Sequence, residues 1–585
     1  MKKMILLLLP LSALAAGCVS DVITLDATTP VTDITPDGGD LSDDDISNTD
    51  ISRTLIITYS SSGAVVTGDD NGYVSVSGNH VTVNNTGSEV LEYVLTGKAS
   101  DGSFKLYSSV EQSLRLSDLN LTNPDGAVID NQSKKSTFVV LEGTNTIADG
   151  SSAAYKTSGD EDMKAVLFSE GQLIFSGSGS LTVSANNKQG KSGIVSDDYV
   201  HVKGSPSISV TAGGSAGHGI RGKDYVRLSG GTLSVSTAAA MKKGVASDNF
   251  VLVEGGTHNI TVSGGVAYDS DDAEYKGSAG IRADNYFAMT GGAVTIKNTG
   301  TGGKGVSAGS YDFDSSKHTL SDSYITGGTL NVTTTGAESQ GVSSKGIKIG
   351  YKQASGRTYA YAGNLKITGG TIVVNCSRSE GIEAKGDLTI DGGDIYSVSS
   401  ADDAINCQGE MNVNGGYVYA YSSQNDAIDS NGNMKLNGGY VFAVTTKGSP
   451  EVALDANTEG GYKLYINKGA TVVAYGGLES GYSASQTVYS MGATANAWNA
   501  LYDGKSYIAA FKAPAGLSSF AVSAPSLSSG YKGVTVSGTT YSGGAWAVAG
   551  ISGGSSVSLS TYTGGGGNPG GGGPGGGGPG GGHWW

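Results

Sequence analysis

The chain has 585 residues, 94 of them glycine, and carries 37 Lys plus Arg against 53 Asp plus Glu, a formal charge of −16. That balance disfavours a nucleic-acid partner and an anionic membrane surface and favours cation binding or a solvated acidic surface. Only 15% of residues are charged, tyrosines number 30, and three cysteines cannot frame a disulfide-stapled fold. The composition therefore suits an extracellular all-β protein better than a helical one and largely excludes helical architectures.

The chain opens with MKKMILLLLPLSALAAGCVS, in which Lys2 and Lys3 precede an apolar run from Met4 to Ala16 and then small residues. This reads as a secretion signal over residues 1–17, its apolar run being short for a membrane span. Leu14-Ala15-Ala16-Gly17-Cys18 resembles the lipobox of bacterial lipoproteins, with Ala15 where Leu is usual. The resemblance implies lipidation of Cys18, a membrane association through that anchor only, and a cell-surface location. Val19 rather than Asp after the cysteine implies outer-membrane retention in a Gram-negative cell. Residues 18–52 are rich in Asp, Thr and Pro and too poor in apolar groups to order themselves, so they form a flexible tether.

Residues 53–480 are dominated by repetition. Glycine pairs ending at Gly370, Gly393, Gly416 and Gly439 are 23 residues apart, and upstream pairs end at Gly231, Gly256, Gly292 and Gly328, each followed by an alternating run such as TLSVS or AVTIK. A second strand signal, G-I/V-x-A/S, falls at Gly193, Gly219, Gly244, Gly280, Gly305, Gly341 and Gly381, with Ala404 and Ala427 in the glycine's place in the next two coils. Period-2 alternation of Val, Ile, Tyr and Thr predicts strands, and a fixed period in the twenties predicts a solenoid. The expected fold is all-β: a right-handed parallel β-helix of about 23 residues per coil.

The period sets the register. With Ile382, Ile405 and Ile428 inward, Ala384, Cys407 and Ser430 point inward too, whereas Cys376 falls in a different column beside Ser399 and Ser422, so the two cysteines are not expected to bond. Glu380, Asp403 and Asp426 form one polar column and Glu383, Asn406 and Asp429 the next. Asp402 and Asn425 lie alongside, and Asp455 continues the second column. Stacked carboxylates one rung apart repel by about 1 kcal/mol per pair in water and by several times that near a protein surface, so they need a counter-charge. Carboxylate and amide oxygens without His or Cys suit Ca2+; the alternative is a solvated acidic ridge. Upstream, the column aligned with Glu380 reads Lys164, Ser192, His218, Lys243, Ala279, Lys304 and Gln340, so the acidity is local.

Tyr396, Tyr419 and Phe442 share an outward column, with Tyr417 and Tyr440 two positions earlier and Tyr421 two later. Such rows either offer flat faces to pyranose rings or form an aromatic ladder that packs under the C-terminal segment. The histidines show no metal-ligand spacing. Residues 481–563 lose the period but keep β composition, which predicts a small C-terminal β cap or domain with Trp498 and Trp546 in its core. Residues 564–585 are a Gly/Pro-rich tail ending in Trp584 and Trp585.

From Gly87 to Thr563 the sequence resembles the calcium- and carbohydrate-binding parallel β-helix proteins described as cellulose- and pectin-binding and related in fold to pectate lyases. The resemblance rests on SEVLEYVLTGKASDGSFKLYSSVEQSLRLSDLNLTNPDGAVIDN, on MKAVLFSEGQLIFSGSGSLTVSAN, and on the acidic coil motif that survives as Asp402-Asp403-Ala404-Ile405 and Asn425-Asp426-Ala427-Ile428. It implies a monomeric cell-surface binder of polysaccharide, dependent on calcium. Two other classes stay open. In a polysaccharide lyase, calcium would neutralise a uronate carboxylate and a base, Arg378 or less favourably Lys385, would take the adjacent proton, Arg221 and Arg282 lying coils away. The other class is a structural adhesin with no sugar ligand.

Overall fold

The computed structural model describes residues 41–157, 159–315, 319–355 and 358–564. The signal, Cys18, most of the tether, and Trp584 and Trp585 lie outside the described residues. Residues 41–48, which carry two short 3-10 turns at Leu41–Asp44 and Ile46–Asn48, belong to a unit separate from Thr49 onward.

In the second unit the chain winds in coils of three strands, each pairing in parallel with its copy one coil later. The coil with strands Ile382–Ala384, Leu388–Ile390 and Asp394–Ser399 stacks on Ile405–Cys407, Met411–Val413 and Tyr417–Ser422. These in turn stack on Ile428–Ser430, Met434–Leu436 and Tyr440–Thr445. The first strand of every coil belongs to a 15-stranded sheet running from Val74–Ser77 to Leu454–Ala456, and the other two to a 32-stranded sheet. The long parallel stacks are consistent with the solenoid that the repeat predicts.

Local chemistry fixes each coil. Between the second and third strands the chain reverses through Gly393, Gly416 and Gly439 at φ of 94°, 81° and 70°, a left-handed turn that a side chain disfavours. Ile382, Ile405 and Ile428 are buried with Leu388, Met411 and Met434 in one continuous apolar column. Each such side chain contributes about 1.5–3 kcal/mol by burial, and no coil can bury its inner face without neighbours. Cys376 pairs in register with Ser399, and Cys407 with Ala384 and Ser430; both thiols are free and buried.

The repeat signal misplaces one strand. Gly341 lies in a turn at φ 75°, and the strand that stacks on Ile382–Ala384 is Lys345–Ile349, carrying Gly346. A Cβ on Gly346 would meet the Gly381 carbonyl oxygen and Val374 Cγ1 at 2.3 Å each, so close packing selects glycine there. The residue aligned with Glu380 is therefore Lys345, not Gln340.

Three insertions interrupt the period, and each adjoins a strand of the 15-stranded sheet. They are the hairpin Ala267–Asp269 with Glu274–Lys276, the helix Tyr311–Ser315, and the hairpin Tyr351–Ser355 with Thr358–Ala362. Beyond residue 480, Tyr489–Gly492 and Ser519–Ser523 extend the large sheet in antiparallel sense, and a separate six-stranded sheet follows.

Candidate functional site

The register brings the predicted polar columns onto one face of the 15-stranded sheet. Lys348, Glu383, Asn406, Asp429 and Asp455 occupy equivalent positions on five successive rungs. Glu380, Asp403 and Asp426 lie three residues before Glu383, Asn406 and Asp429, where the chain enters each strand. Charge reverses along the face, from basic before Glu383 to acidic after it.

Glu380 and Glu383 do not fit a metal ligand set. Lys345 Nζ lies 2.7 Å from carboxylate oxygens of both, and Lys385 pairs with the other Glu383 oxygen. Although burial alone would raise it, Lys345, Lys385 and Lys348 hold the Glu383 carboxyl well below the usual carboxylate range. The counter-charge that the first two stacked carboxylates require is thus a lysine ammonium, which the misplaced Gly341 strand had concealed. Burial pushes the Glu380 carboxyl up to about 7 despite Lys345.

The next rungs differ. Asn406 Nδ2 donates to Asp403 Oδ2 at 2.9 Å and to Asp429 Oδ2 at 2.8 Å, so two carboxylates and one side-chain amide converge on a single point. Asn425 Nδ2 donates to Asp402 Oδ1 at 2.8 Å, and the Asp426 amide donates to Asp403 Oδ1 at 3.1 Å. Asp426 also accepts from the Val452 amide, and Asp455 is hydrogen-bonded to Glu479. Among the described residues, no lysine or arginine forms an ion pair with Asp402, Asp403, Asp426, Asp429 or Asp455. Burial, then repulsion from neighbouring carboxylates, pushes Asp403 well up, Asp426 to about 7 and Asp429 to about 8. Asp455 rises to about 9 through burial and its bond to Glu479. An all-oxygen donor set whose charged form lacks compensation fits a hard divalent cation. Asp403, Asp429 and, with its amide turned to present Oδ1, Asn406 would hold Ca2+, with Asp402, Asp426 and Asp455 alongside.

Another acidic group escaped the sequence reading: Asp162, Glu170 and Asp197 bring carboxylate oxygens within 4.8 Å of one another. Lys164 pairs with Asp162 at 2.8 Å and with Asp197, while Glu170, raised by burial and by Asp197, forms no ion pair among the described residues.

The aromatic rows have the expected register but not the expected exposure. Phe442 is fully buried, with its ring edge-on to Phe511, Phe520 and Trp546 at 5.5–5.9 Å. Tyr419 meets the Phe442 edge at 5.2 Å and Tyr396 stacks on Tyr419, with Gly543 laid against the Tyr396 ring. Tyr417 stacks on Tyr541 at 3.8 Å, Tyr440 packs on Trp546, and Tyr421 is part of the same apolar cluster. Trp546 donates its indole N–H to the Val418 carbonyl at 3.1 Å. The C-terminal domain covers this side, so the six residues form a seam, and the sugar face read from them is corrected to an aromatic ladder. Trp546 belongs to that seam, while Trp498 is only partly buried.

Exposed aromatics lie instead on the insertions: Tyr268 and Tyr275 face each other at 5.2 Å across one hairpin, Tyr311 sits on the short helix, and Tyr359 and Tyr361 on the other hairpin. Their signal in the sequence was the interruption itself, where the glycine pairs at Gly256, Gly292, Gly328 and Gly370 stand farther apart than the regular coils allow. Arg378 is exposed in the turn after Thr371–Cys376 and makes no ion pair among the described residues.

The sequence matches a family described as "Carbohydrate-binding domain-containing protein" over residues 77–425 and again over 351–508. A solved structure, "Structure of the polysaccharide lyase-like protein from C. thermocellum, Gadolinium derivative", aligns at 19% identity with a TM-score of 0.33, covering 42% of this chain and 91% of that one. No curated protein matches the chain.

Proposed function

The chain belongs to the carbohydrate-binding domain-containing family, and on that premise we propose that it is a polysaccharide binder whose grip depends on calcium at Asp403, Asn406 and Asp429. The fold that presents this site is a right-handed parallel β-helix. The protein works as a monomeric cell-surface lipoprotein, tethered through Cys18 by residues 18–52, and in the outer membrane if the cell is Gram-negative. Cellulose-like and acidic pectin-like glycans are the substrate class.

The observation that carries the reading is the convergence of Asp403 and Asp429 on one amide, with no basic side chain paired to them among the described residues. When bound, calcium supplies positive charge to those oxygens and open positions for sugar hydroxyl or carboxylate oxygens. The chain's own part is positional: two rungs fix the donors, Asn406 and Asp429 on short strands and Asp403 at a strand entry, and the exposed tyrosines of the insertions offer flat faces for pyranose rings.

The test is retention of the full chain on cellulose and on polygalacturonate with calcium and with a chelator, beside calorimetric titration of the metal alone. Retention that requires calcium and is lost in Asp403→Asn supports the reading. Retention indifferent to calcium, or no calcium heat, removes the metal from it.

A further inference from the structure

The basic half of the charged face is not explained by the calcium reading. On four consecutive rungs preceding Glu383 the 15-stranded sheet carries one uncommitted or partly committed cation each: Lys243, Arg282, Lys304 and Lys348. The register is explicit. Lys243 and Ala279 are partners, as are Ala279 and Lys304, and in the adjoining column Arg282 partners Ser307 and Ser307 partners Lys348. The four charges thus alternate between two neighbouring columns and advance one rung at a time over about 14 Å, three rung spacings.

Three of them are held by backbone carbonyls rather than by ion pairs. Lys243 Nζ donates to the Met241 carbonyl and to the Gly277 carbonyl at 3.0 Å, Lys304 Nζ to the Gly302 carbonyl at 3.1 Å, and Lys348 Nζ to the Gly350 carbonyl. None lies within ion-pair distance of a carboxylate among the described residues, while Arg282 pairs with Asp284 at 2.7 Å and donates to Ser307. Glu383, on the rung after Lys348, acts on Lys348 and Lys304 but is itself paired with Lys345 and Lys385; in one insertion Glu274 acts on Arg282 and Lys348 from beyond ion-pair distance, and Asp269, near Lys243, is committed to Lys276. Burial and neighbouring cations hold the Lys243 and Lys304 ammonium groups down to about 7, the mark of positive charge packed without a counter-ion. In a chain with a formal charge of −16, such a row runs against the overall composition.

We infer that Lys243, Arg282, Lys304 and Lys348 form a calcium-independent binding row for a polysaccharide that carries one anionic group per sugar residue. That the polymer is a glycan rests on the proposed function. That it is anionic rests on the row alone. Within each column the cations recur on alternate rungs, about 10 Å apart, close to the length of two pyranose units, so anionic groups that alternate sides along the polymer meet one column and then the other. Carboxylate and sulfate share this chemistry.

The test is affinity electrophoresis of the full chain in chelator, through gels containing polygalacturonate, dextran sulfate or neutral hydroxyethylcellulose. Retardation by an anionic polymer is expected, and the polymer that retards more identifies carboxylate or sulfate as the preferred group. The triple variant Lys243→Met, Lys304→Met, Lys348→Met should lose at least ten-fold in affinity for that polymer and behave as wild type in the neutral gel. The corresponding Lys→Arg triple variant, which keeps the charges, should retain the binding. Should the methionine variant fail to fold, wild-type retardation must still weaken steeply with sodium chloride. The row is overturned if wild type ignores both anionic polymers in chelator, if a folded methionine variant binds as well as wild type, or if the binding is insensitive to salt. Failure of the calcium reading looks different: neutral-glycan retention then ignores calcium while the lysine variants still lose the anionic polymer.

Discussion

Lys345 Nζ lies 2.7 Å from Glu383 Oε2 on the next rung of the sheet, and Glu383 is 1% exposed. This buried pair, shared with Glu380, marks where the face turns from basic to acidic, and it lets the first two carboxylates stay in the fold without a metal. Removing one partner of a buried pair leaves the other uncompensated, which costs about 3–5 kcal/mol. Lys345→Met should therefore lower stability by that order in urea unfolding, with or without calcium. Adding Glu380→Gln and Glu383→Gln should recover most of the loss. A Lys345→Met protein as stable as wild type would show that the pair contributes nothing.

The carboxylates beyond Glu383 predict a pH response of definite sign. Asp426 at about 7, Asp429 at about 8 and Glu380 at about 7 are raised by burial above their unfolded values near 4. Between about pH 4 and 7 the native state then binds more protons than the unfolded state, so stability falls as pH rises, by up to about 1.4 kcal/mol per pH unit for each such group. His218, held well below its usual value by burial and Lys243, and His258, lowered by burial, oppose this with one proton each below about 6.5. In chelator the melting temperature should decline from pH 5 to pH 7. Calcium, by holding the carboxylates ionised, should flatten the decline, and equal slopes with and without calcium would separate these groups from the metal.

The seam under the C-terminal domain makes a third prediction. Phe442→Ala removes a fully buried ring that touches Phe511, Phe520 and Trp546, and should cost about 3–5 kcal/mol. Tyr268→Ala and Tyr359→Ala, on exposed insertion tips, should stay within about 0.5 kcal/mol of wild type while weakening glycan retention. Melting curves paired with retention assays separate the two classes.

The contrast between these two sets of aromatics shows what the sequence could carry. Period-23 arithmetic placed Tyr396, Tyr419 and Phe442 in one column, as the sheet has them, because register within regular coils is a local property. What covers a column is decided by Trp546 and Phe511, about a hundred residues later in a segment with no period. The polar columns divide in the same way. Asp403, Asn406 and Asp429 were legible because their coils carry no insertions. Lys345 was not, because the turn between Thr329–Thr334 and Lys345–Ile349 put a second glycine signal at Gly341, and only the contact of Gly346 with the Gly381 backbone decides between them. A Gly346→Ala variant should accordingly be far less stable than Gly341→Ala, whose Cβ meets open space and whose cost is the left-handed backbone alone, about 1 kcal/mol.

The last prediction concerns catalysis by β-elimination. Such a reaction needs a base within hydrogen-bond reach of the abstracted proton and a cation on the neighbouring carboxylate. Arg378 is exposed in a turn and pairs with no acid among the described residues. Lys385 is committed to Glu383, as is Lys345. Both lysines beside the acidic coils are therefore engaged by Glu380 and Glu383, Arg378 is held in place by no ion pair among the described residues, and polygalacturonate in excess calcium at alkaline pH should release no unsaturated product. Arg378→Ala should leave calcium affinity and glycan retention unchanged. A calcium-dependent rise in the absorbance of unsaturated product that vanishes in Arg378→Ala would make that arginine the base and the protein a lyase. A rise that survives Arg378→Ala and vanishes in Lys348→Met would instead place the base in the lysine row, one rung from Glu383.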